Sequence, residues 1–194
     1  MNNKLQSWIF SVMAMLGLTL MMQGSVTANE TSGLTALKSG NHFAIMRHAI
    51  APGFGDPSNF ELRNCATQRN LSQEGFDQAA RIGQRFKDSG ISEARVYTSQ
   101  WCRCIDTAST LDLGIPEELP AMNSFFQSQE RKTMQTEALK AWLIKQDLSK
   151  PLVLVTHQVN MTALTGAYPA SGEVFIIERT ASGEFMISDK VQTK

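Results

Sequence analysis

The sequence predicts one α/β domain in which a mostly parallel sheet is covered by helices on both faces. Two apolar runs, HFAIM at 42–46 and LVLVT at 152–156, have the continuous hydrophobicity of strands buried on both sides. Helical patterns separate them, and such alternation is typical of a parallel sheet. The 194 residues leave roughly 165 after an unusual first stretch, which is the size of one domain.

The first stretch has the pattern of a signal peptide. Lys4 precedes an almost uninterrupted apolar run at 8–22, and Val26, Thr27 and Ala28 form a small-residue cleavage signal. We therefore expect a signal peptide at 1–28 and a periplasmic or secreted domain at 29–194. An uncleaved N-terminal anchor is the alternative, although the run is shorter than the roughly 20 residues that span a bilayer. No stable membrane span is expected after cleavage.

The charge balance and the cysteines narrow the classes of partner. The 18 basic and 18 acidic residues cancel, and cleavage would remove only Lys4, so no general attraction for nucleic acid is expected. The three cysteines match no zinc pattern, and we expect no metal and no cofactor. In an oxidising compartment one pair can close. Cys102 and Cys104 point in different directions on a helix, so one of them pairs with Cys65 or none does, and we expect Cys65–Cys104.

The first half of the domain is predicted to alternate strand, loop and helix. The strand at 42–46 leads into a segment rich in glycine and proline, 51–59, that cannot form regular structure. Ser72 is placed to cap a helix that ends at Gly90. A second strand is expected at 94–97. The residues expected on the buried face of the helix are Phe76, Ala79, Ala80, Gly83 and Phe86.

The second half is predicted to add two helices and a hairpin around the strand at 152–156. One helix runs from 99 to 111 with Arg103 near its start, and another runs from 129 to 146. The residues expected on the buried face of the latter are Met134, Ala138, Leu139, Trp142 and Leu143. The runs at 173–179 and 184–188 predict an antiparallel hairpin that closes the sheet.

Basic side chains follow the ends of these strands. His48 and His157 come directly after the two apolar strands, Arg47 adjoins His48, and Arg103 lies near a helix N-terminus. Ligands of parallel sheets bind outside the carboxyl ends of the strands, and guanidinium groups bind phosphate oxygens bidentately. A neutral imidazole is a competent nucleophile near neutral pH. The pattern therefore predicts a phosphate site in which a histidine accepts the phosphoryl group.

Four motifs in order resemble the histidine phosphatase (phosphoglycerate-mutase-like) superfamily, and the sequence is similar to its small exported bacterial members. They are MRHA at 46–49, LSQEG at 71–75, TSQWCRCIDTA at 98–108 and LVLVTHQ at 152–158. The resemblance implies a three-layer α/β/α sandwich and a metal-independent acid-type phosphatase. It implies that His48 accepts the phosphoryl group, that Arg47 and Arg103 clamp the phosphate, that His157 donates to a phosphate oxygen, and that the backbone amide of Gln158 is available to the phosphate.

The sequence departs from the family at two points. Ala49 stands where the signature has glycine, and no acid stands at the late proton-donor site, where Gln158 and Asn160 are found. Glu130, at the start of a helix, is our choice of donor, ahead of Glu117 and Glu118. Without an acid the enzyme would favour substrates with good leaving groups.

The substrate is expected to be a phosphorylated small molecule or an envelope glycan, such as a cell-envelope sugar phosphate. Arg63 and Arg69, in the segment that should line the entrance, are expected to be available to a second anionic group. The rival hypothesis is a phospho-ligand binding protein on the same fold with little or no turnover. A third alternative is a structural envelope protein without a site. It would require the pattern of His48, Arg47, Arg103 and His157 to have arisen by chance.

Overall fold

A six-stranded sheet runs through the centre of the protein in the computed structural model, which describes residues 33–191. The strands are β1 (His42–Arg47), β2 (Arg95–Thr98), β3 (Glu117–Glu118), β4 (Leu152–Thr156), β5 (Val174–Arg179) and β6 (Phe185–Val191). The helices are α1 (Gln73–Asp88), α2 (Cys102–Thr110), α3 (Lys132–Ile144) and α4 (Gln158–Thr165). The signal peptide predicted at 1–28 lies outside the described residues.

The order of the strands brings the two apolar strands together at the centre of the sheet. The order is β3-β2-β4-β1-β5-β6. The pairs β3–β2, β2–β4 and β4–β1 are parallel, and the pairs β1–β5 and β5–β6 are antiparallel. In the register of β1 and β4, Arg47 is opposite Thr156. The strands therefore end side by side, and the mostly parallel sheet and closing hairpin are confirmed.

Alternate residues of the strands face two separate hydrophobic clusters, one on each side of the sheet. The cluster that includes α1 and α2 contains Ala44, Met46, Phe86 and Ala108. The cluster that includes α3 and α4 contains Phe43, Ile45, Leu139 and Met161. Because successive side chains of a strand point to opposite faces, a continuous apolar run supplies both clusters. The result is the expected α/β/α sandwich.

The cap of α1 is confirmed, but two of its predicted core residues are wrong. Ser72 Oγ accepts a hydrogen bond from the Gly75 amide at 3.2 Å. Phe76 and Ala80 are exposed. The buried face is instead formed by Gly75, Gln78, Ala79, Ile82, Gly83 and Phe86. The face is centred on small residues because the first turn of α1 packs directly against the backbone at Ile50.

The third predicted helix begins later than expected, and neither Met134 nor Ala138 faces the core, since both are exposed. A 3-10 turn at Gln129–Arg131 precedes α3, and Met134 is 71% exposed. At about 100° per residue Met134 lies about 140° around the helix from the buried Leu139. The short strand β3 and the helix α4 were not predicted. No helix within residues 33–191 is long and apolar enough to cross a membrane.

Candidate active site

His48 and His157 lie together at the carboxyl ends of the two central strands. The His48 amide donates to the Thr156 carbonyl at 2.9 Å, which ties the end of β1 to the end of β4. The centroids of the two imidazole rings are 5.6 Å apart, and both residues are buried. The convergence expected from two parallel strand ends is therefore present.

The ring of His48 is held in the tautomer that a nucleophile needs. Its Nδ1 lies 2.8 Å from the Ala49 carbonyl oxygen, and a carbonyl can only accept, so Nδ1 carries the proton. The lone pair is then on Nε2. Burial, followed by the charge of Arg103, lowers the pKa of His48 to about 3. The imidazole is consequently neutral at physiological pH.

Three arginines share a pocket with these histidines. Arg47, Arg69 and Arg103 all line it, and the Nε atoms of Arg47 and Arg103 are buried without a hydrogen-bond partner among residues 33–191. Buried donors are nearly always paired, so two unpaired guanidinium donors at one pocket indicate an anion site. The other lining residues are Gly53, Phe54, Gly55, Asp56, Ser124, Phe126, Gln158 and Val159.

Asp56 holds Arg103 through a buried, bidentate ion pair. Its carboxylate accepts from Arg103 Nη1 at 2.7 Å and Nη2 at 3.1 Å. It also accepts from Trp101 Nε1 at 3.0 Å and from the Arg69 amide at 3.2 Å. Burial alone would raise the pKa of Asp56, but the hydrogen bond and charge of Arg103 outweigh it and keep the pKa below its usual value. Asp56 is therefore ionised, and the three arginines and Asp56 together leave two positive charges at the pocket.

His157 is fixed by a serine on one side and an arginine on the other. Its Nδ1 lies 3.5 Å from Arg103 Nη2, and Nε2 lies 2.8 Å from Ser99 Oγ. Because arginine only donates, Nδ1 accepts and Nε2 carries the proton. Burial, followed by the charge of Arg103, holds the pKa of His157 well below its usual value. His157 is a neutral hydrogen-bonding group and not a fixed cation.

Thr107 connects the nucleophile segment to the helix that carries Arg103. Its Oγ1 accepts from the Ala49 amide at 3.0 Å and donates to the Arg103 carbonyl at 2.7 Å. Ala49 is fully buried, and it is not one of the residues with positive φ. The backbone at this point does not require glycine, which explains why alanine is accommodated.

The sequence matches a family model over the segment that carries most of these residues. The Histidine phosphatase superfamily (branch 1) model matches residues 45–125. The predicted resemblance to the histidine phosphatase superfamily is confirmed. No curated protein matches the sequence significantly.

Solved structures share the fold over nearly their whole length. The protein histidine phosphatase SixA, in complex with tungstate, has a TM-score of 0.54 at 16% identity and covers 77% of this chain and 95% of its own. YhfR from Bacillus stearothermophilus has a TM-score of 0.58 at 16% identity, covering 79% and 98%. A mycobacterial glucosyl-3-phosphoglycerate phosphatase complexed with VO3 has a TM-score of 0.51 at 13% identity, covering 71% and 92%. At such identities the likeness establishes the phosphoglycerate-mutase-like fold.

The structure brings together six of the predicted site residues and separates two others. Arg47, His48, Arg103, His157 and Gln158 line the pocket, and so does Arg69. Arg69, however, donates to the Ala51 and Gly55 carbonyls, so part of its guanidinium is used within the loop. Arg63 pairs with Glu118 at 2.6 Å and does not line the pocket. Glu130 is exposed on a 3-10 turn and does not line the pocket either, and Glu117 is exposed on β3.

The predicted disulfide is wrong in one of its partners. Cys65 is bonded to Cys102 and not to Cys104. The side chain of Cys104 points into the sheet side of α2, where Sγ lies 3.6 Å from the Thr156 carbonyl oxygen. Burial raises the pKa of the Cys104 thiol to about 12, so it stays protonated. Cys102 is the cysteine that faces the entrance segment.

Three residues around the site were missed by the sequence analysis. Asp56 lay in a segment interpreted only as a loop, although an acidic residue so soon after the nucleophile was a signal of a partner for an arginine. Ser99 and Thr107 stood inside a quoted motif, but their roles depend on contacts with His157 and Ala49, which are 58 residues away in both cases. Sequence spacing carries no sign of such contacts.

Proposed function

We propose that the protein is a phosphatase that transfers a phosphoryl group from a phosphomonoester to Nε2 of His48 and then to water. The observation that carries this proposal is the neutral His48, with its lone pair on Nε2, in a pocket with unpaired arginine donors. Nucleophilic attack needs the neutral imidazole, and the charge of the phosphoryl group needs fixed donors. The family match and the shared fold support phosphatase activity in general.

In the first step Nε2 attacks phosphorus, the bond from phosphorus to the leaving oxygen breaks, and a phosphohistidine forms. Arg47 and Arg103 bind the phosphoryl oxygens throughout. His157 donates to one of them in its Nδ1–H tautomer, which gives up the 3.5 Å contact with Arg103 Nη2 and lets the Ser99 hydroxyl donate to Nε2. Water then attacks phosphorus, the bond to Nε2 breaks, and inorganic phosphate leaves.

The test is metal-free turnover that depends on His48. The full-length protein is assayed with p-nitrophenyl phosphate and acetyl phosphate in EDTA, beside His48→Ala and His42→Ala. His42 is the matched control because it lies at the start of β1, bonded to Ser39 and Asn41. We expect turnover and an acid-labile phosphoprotein in the wild type and in His42→Ala, and neither in His48→Ala. EDTA-sensitive turnover, or turnover that survives in His48→Ala, would reject the mechanism.

The finer proposal is that the domain acts outside the cytoplasm, after cleavage of residues 1–28, on a soluble phosphomonoester or a cell-envelope sugar phosphate. The disulfide between Cys65 and Cys102 supports an oxidising compartment. Fractionation of expressing cells, with N-terminal sequencing of the product, tests both parts. Recovery of uncleaved protein in the cytosol would contradict export.

The second candidate is a phospho-ligand binding protein with little turnover. The state of Asp56 favours this candidate. Asp56 is the one acidic residue in the lining, and it is ionised and paired with Arg103. Such a site binds phosphate but has no proton to give to a poor leaving group. Stabilisation by inorganic phosphate, without hydrolysis of either assay substrate, would decide for this candidate.

A further inference from the structure

Two aromatic rings stand at the mouth of the phosphate pocket. Phe54 is 86% exposed and Phe126 is 39% exposed, yet their ring centroids are 4.9 Å apart in an edge-to-face arrangement. Both line the pocket that contains His48. Large apolar side chains left in water at the rim of a polar site cost hydrophobic free energy, and such a patch commonly marks a contact with a ligand.

The two rings are held in different ways. Phe126 follows the buried Phe125. The Phe126 carbonyl accepts a hydrogen bond from Gln129 Nε2 at 3.0 Å, so the backbone of Phe126 is anchored. Phe54 lies between Gly53 and Gly55, whose φ angles are +91° and +66°. Glycine tolerates this left-handed region without strain, which lets the loop present a large side chain away from the core. One wall of the mouth is therefore fixed and the other is carried by a glycine-flanked loop.

The rim offers few groups for a hydroxyl-rich leaving group. Sugar hydroxyls need well-placed polar partners, whereas the side chains at the mouth include Phe54, Phe126 and Val159. Arg63 is paired with Glu118 away from the pocket, and Arg69 donates to loop carbonyls. Apart from the two histidines, Ser124 and Gln158 are the neutral polar side chains in the lining. The pocket is therefore charged around His48 and apolar at its mouth.

The residues around His48 also disfavour an aliphatic alcohol as the leaving group. Asp56 accepts four hydrogen bonds and is ionised, so no protonated carboxyl is present in the lining. A leaving oxygen must then depart as an anion and take its proton from water. A phenol, with a pKa of about 10 as in tyrosine, does this far more readily than an aliphatic alcohol.

We propose that this site selects phosphate esters of phenols, with the aromatic leaving group held against Phe54 and Phe126 while phosphorus faces His48. In the reaction the bond from His48 Nε2 to phosphorus forms, the bond from phosphorus to the phenolic oxygen breaks, and the phenolate is protonated by water. The proposal rests on the proposed phosphatase function and names its substrate class, choosing an aromatic phosphomonoester over the sugar phosphate.

The test separates aromatic binding from leaving-group reactivity. Turnover of phenyl phosphate, glucose 6-phosphate and acetyl phosphate is compared in the wild type, Phe54→Ala, Phe126→Ala and Phe76→Ala. Acetyl phosphate has a good leaving group but no ring. Phe76, exposed on the outer face of α1, is the matched control.

We expect the wild type to prefer phenyl phosphate to glucose 6-phosphate in kcat/KM. Loss of either mouth ring should lower kcat/KM for phenyl phosphate about fivefold more than for acetyl phosphate, mainly through KM, because an aromatic contact contributes about 1 kcal/mol. Phe76→Ala should leave kcat/KM for phenyl phosphate unchanged relative to both glucose 6-phosphate and acetyl phosphate. Equal losses on both substrates, or a preference for glucose 6-phosphate, would overturn the substrate class while leaving the phosphatase function in place. Absence of turnover on all three by the wild type would reject the phosphatase function itself.

Discussion

At the scale of single residues, the neutral state of His48 comes from burial beside fixed cations. The pKa falls from 6.5 to about 3 through burial and then the charge of Arg103, so the folded protein resists protonating this ring. The unfolded chain binds that proton below about pH 6.5, and stability must therefore fall as the pH drops below this value. By this linkage His48 alone is expected to cost about 2 kcal/mol of unfolding free energy at pH 5.

Urea unfolding at pH 7.5 and pH 5.0 measures how much the free energy of unfolding decreases with pH. The decrease should be about 2 kcal/mol smaller in His48→Gln than in the wild type. His42→Gln is the matched control, because it removes a half-buried histidine at the start of β1, outside the pocket. Equal decreases in the wild type and in His48→Gln would show that His48 is not held neutral by the fold.

Asp56 neutralises Arg103, which is also a proposed ligand of the phosphate, and this shared partner predicts an unusual response to mutation. Removing the charge in Asp56→Asn leaves the buried Arg103 without its counter-ion, which typically costs 3–5 kcal/mol. A phosphate dianion can restore the lost charge pairing. Asp56→Asn should therefore be destabilised without phosphate and gain more from added phosphate than the wild type does.

Thermal unfolding over a range of phosphate concentrations tests the role of Asp56. Glu130→Gln provides the control, because it removes a carboxylate from an exposed turn outside the pocket. The expected result is a steeper rise of Tm with phosphate in Asp56→Asn alone. Parallel curves for all three proteins would mean that Arg103 does not exchange Asp56 for phosphate.

At the scale of elements, α1 lies against the segment that follows His48, the proposed nucleophile. A Cβ added at Gly75 would lie 2.1 Å from the Ile50 carbonyl oxygen, so Gly75→Ala must push the helix and this segment apart. Gly83 is equally crowded, with a Cβ that would lie 2.2 Å from the Leu111 carbonyl oxygen, but far along the helix from the site. Both substitutions should destabilise the fold by about 1–3 kcal/mol.

Only Gly75→Ala should also lower kcat, because only it displaces the backbone that carries His48. Steady-state kinetics with acetyl phosphate, together with urea unfolding of both variants, makes the comparison. If Gly75→Ala and Gly83→Ala lose kcat to the same extent, the close approach at Ile50 serves the stability of the fold and does not position the nucleophile.

The elements themselves were largely predictable, whereas the contacts between them were not. Continuous apolar runs identified the two central strands, and the rule that ligands bind at strand ends placed His48 and His157 together. The partner of Arg103 was not predictable, because Asp56 reaches it across 47 residues from a loop. Met134 was placed in the core by its hydrophobicity, although its position around α3 directs it to solvent.

At the scale of the whole molecule, the disulfide joins the segment at 51–69 to the helix that carries Arg103. Cys65 and Cys102 are 37 residues apart, and Cys102 directly precedes Arg103. Closing a loop of this length typically contributes 2–4 kcal/mol, and here it also restrains the loop that supplies Asp56 and Phe54. The pairing Cys65–Cys102 leaves Cys104 as a free, buried thiol.

A thiol count combined with unfolding distinguishes the two possible pairings. The denatured, unreduced wild type should show one free thiol and Cys104→Ala none, and a reductant should lower the unfolding free energy of both by about 2–4 kcal/mol. Cys102→Ala should lose that sensitivity to reductant. It should also show weaker phosphate binding, since the entrance loop is no longer tied to the start of α2. A variant Cys104→Ala that is insensitive to reductant would instead indicate the pairing of Cys65 with Cys104.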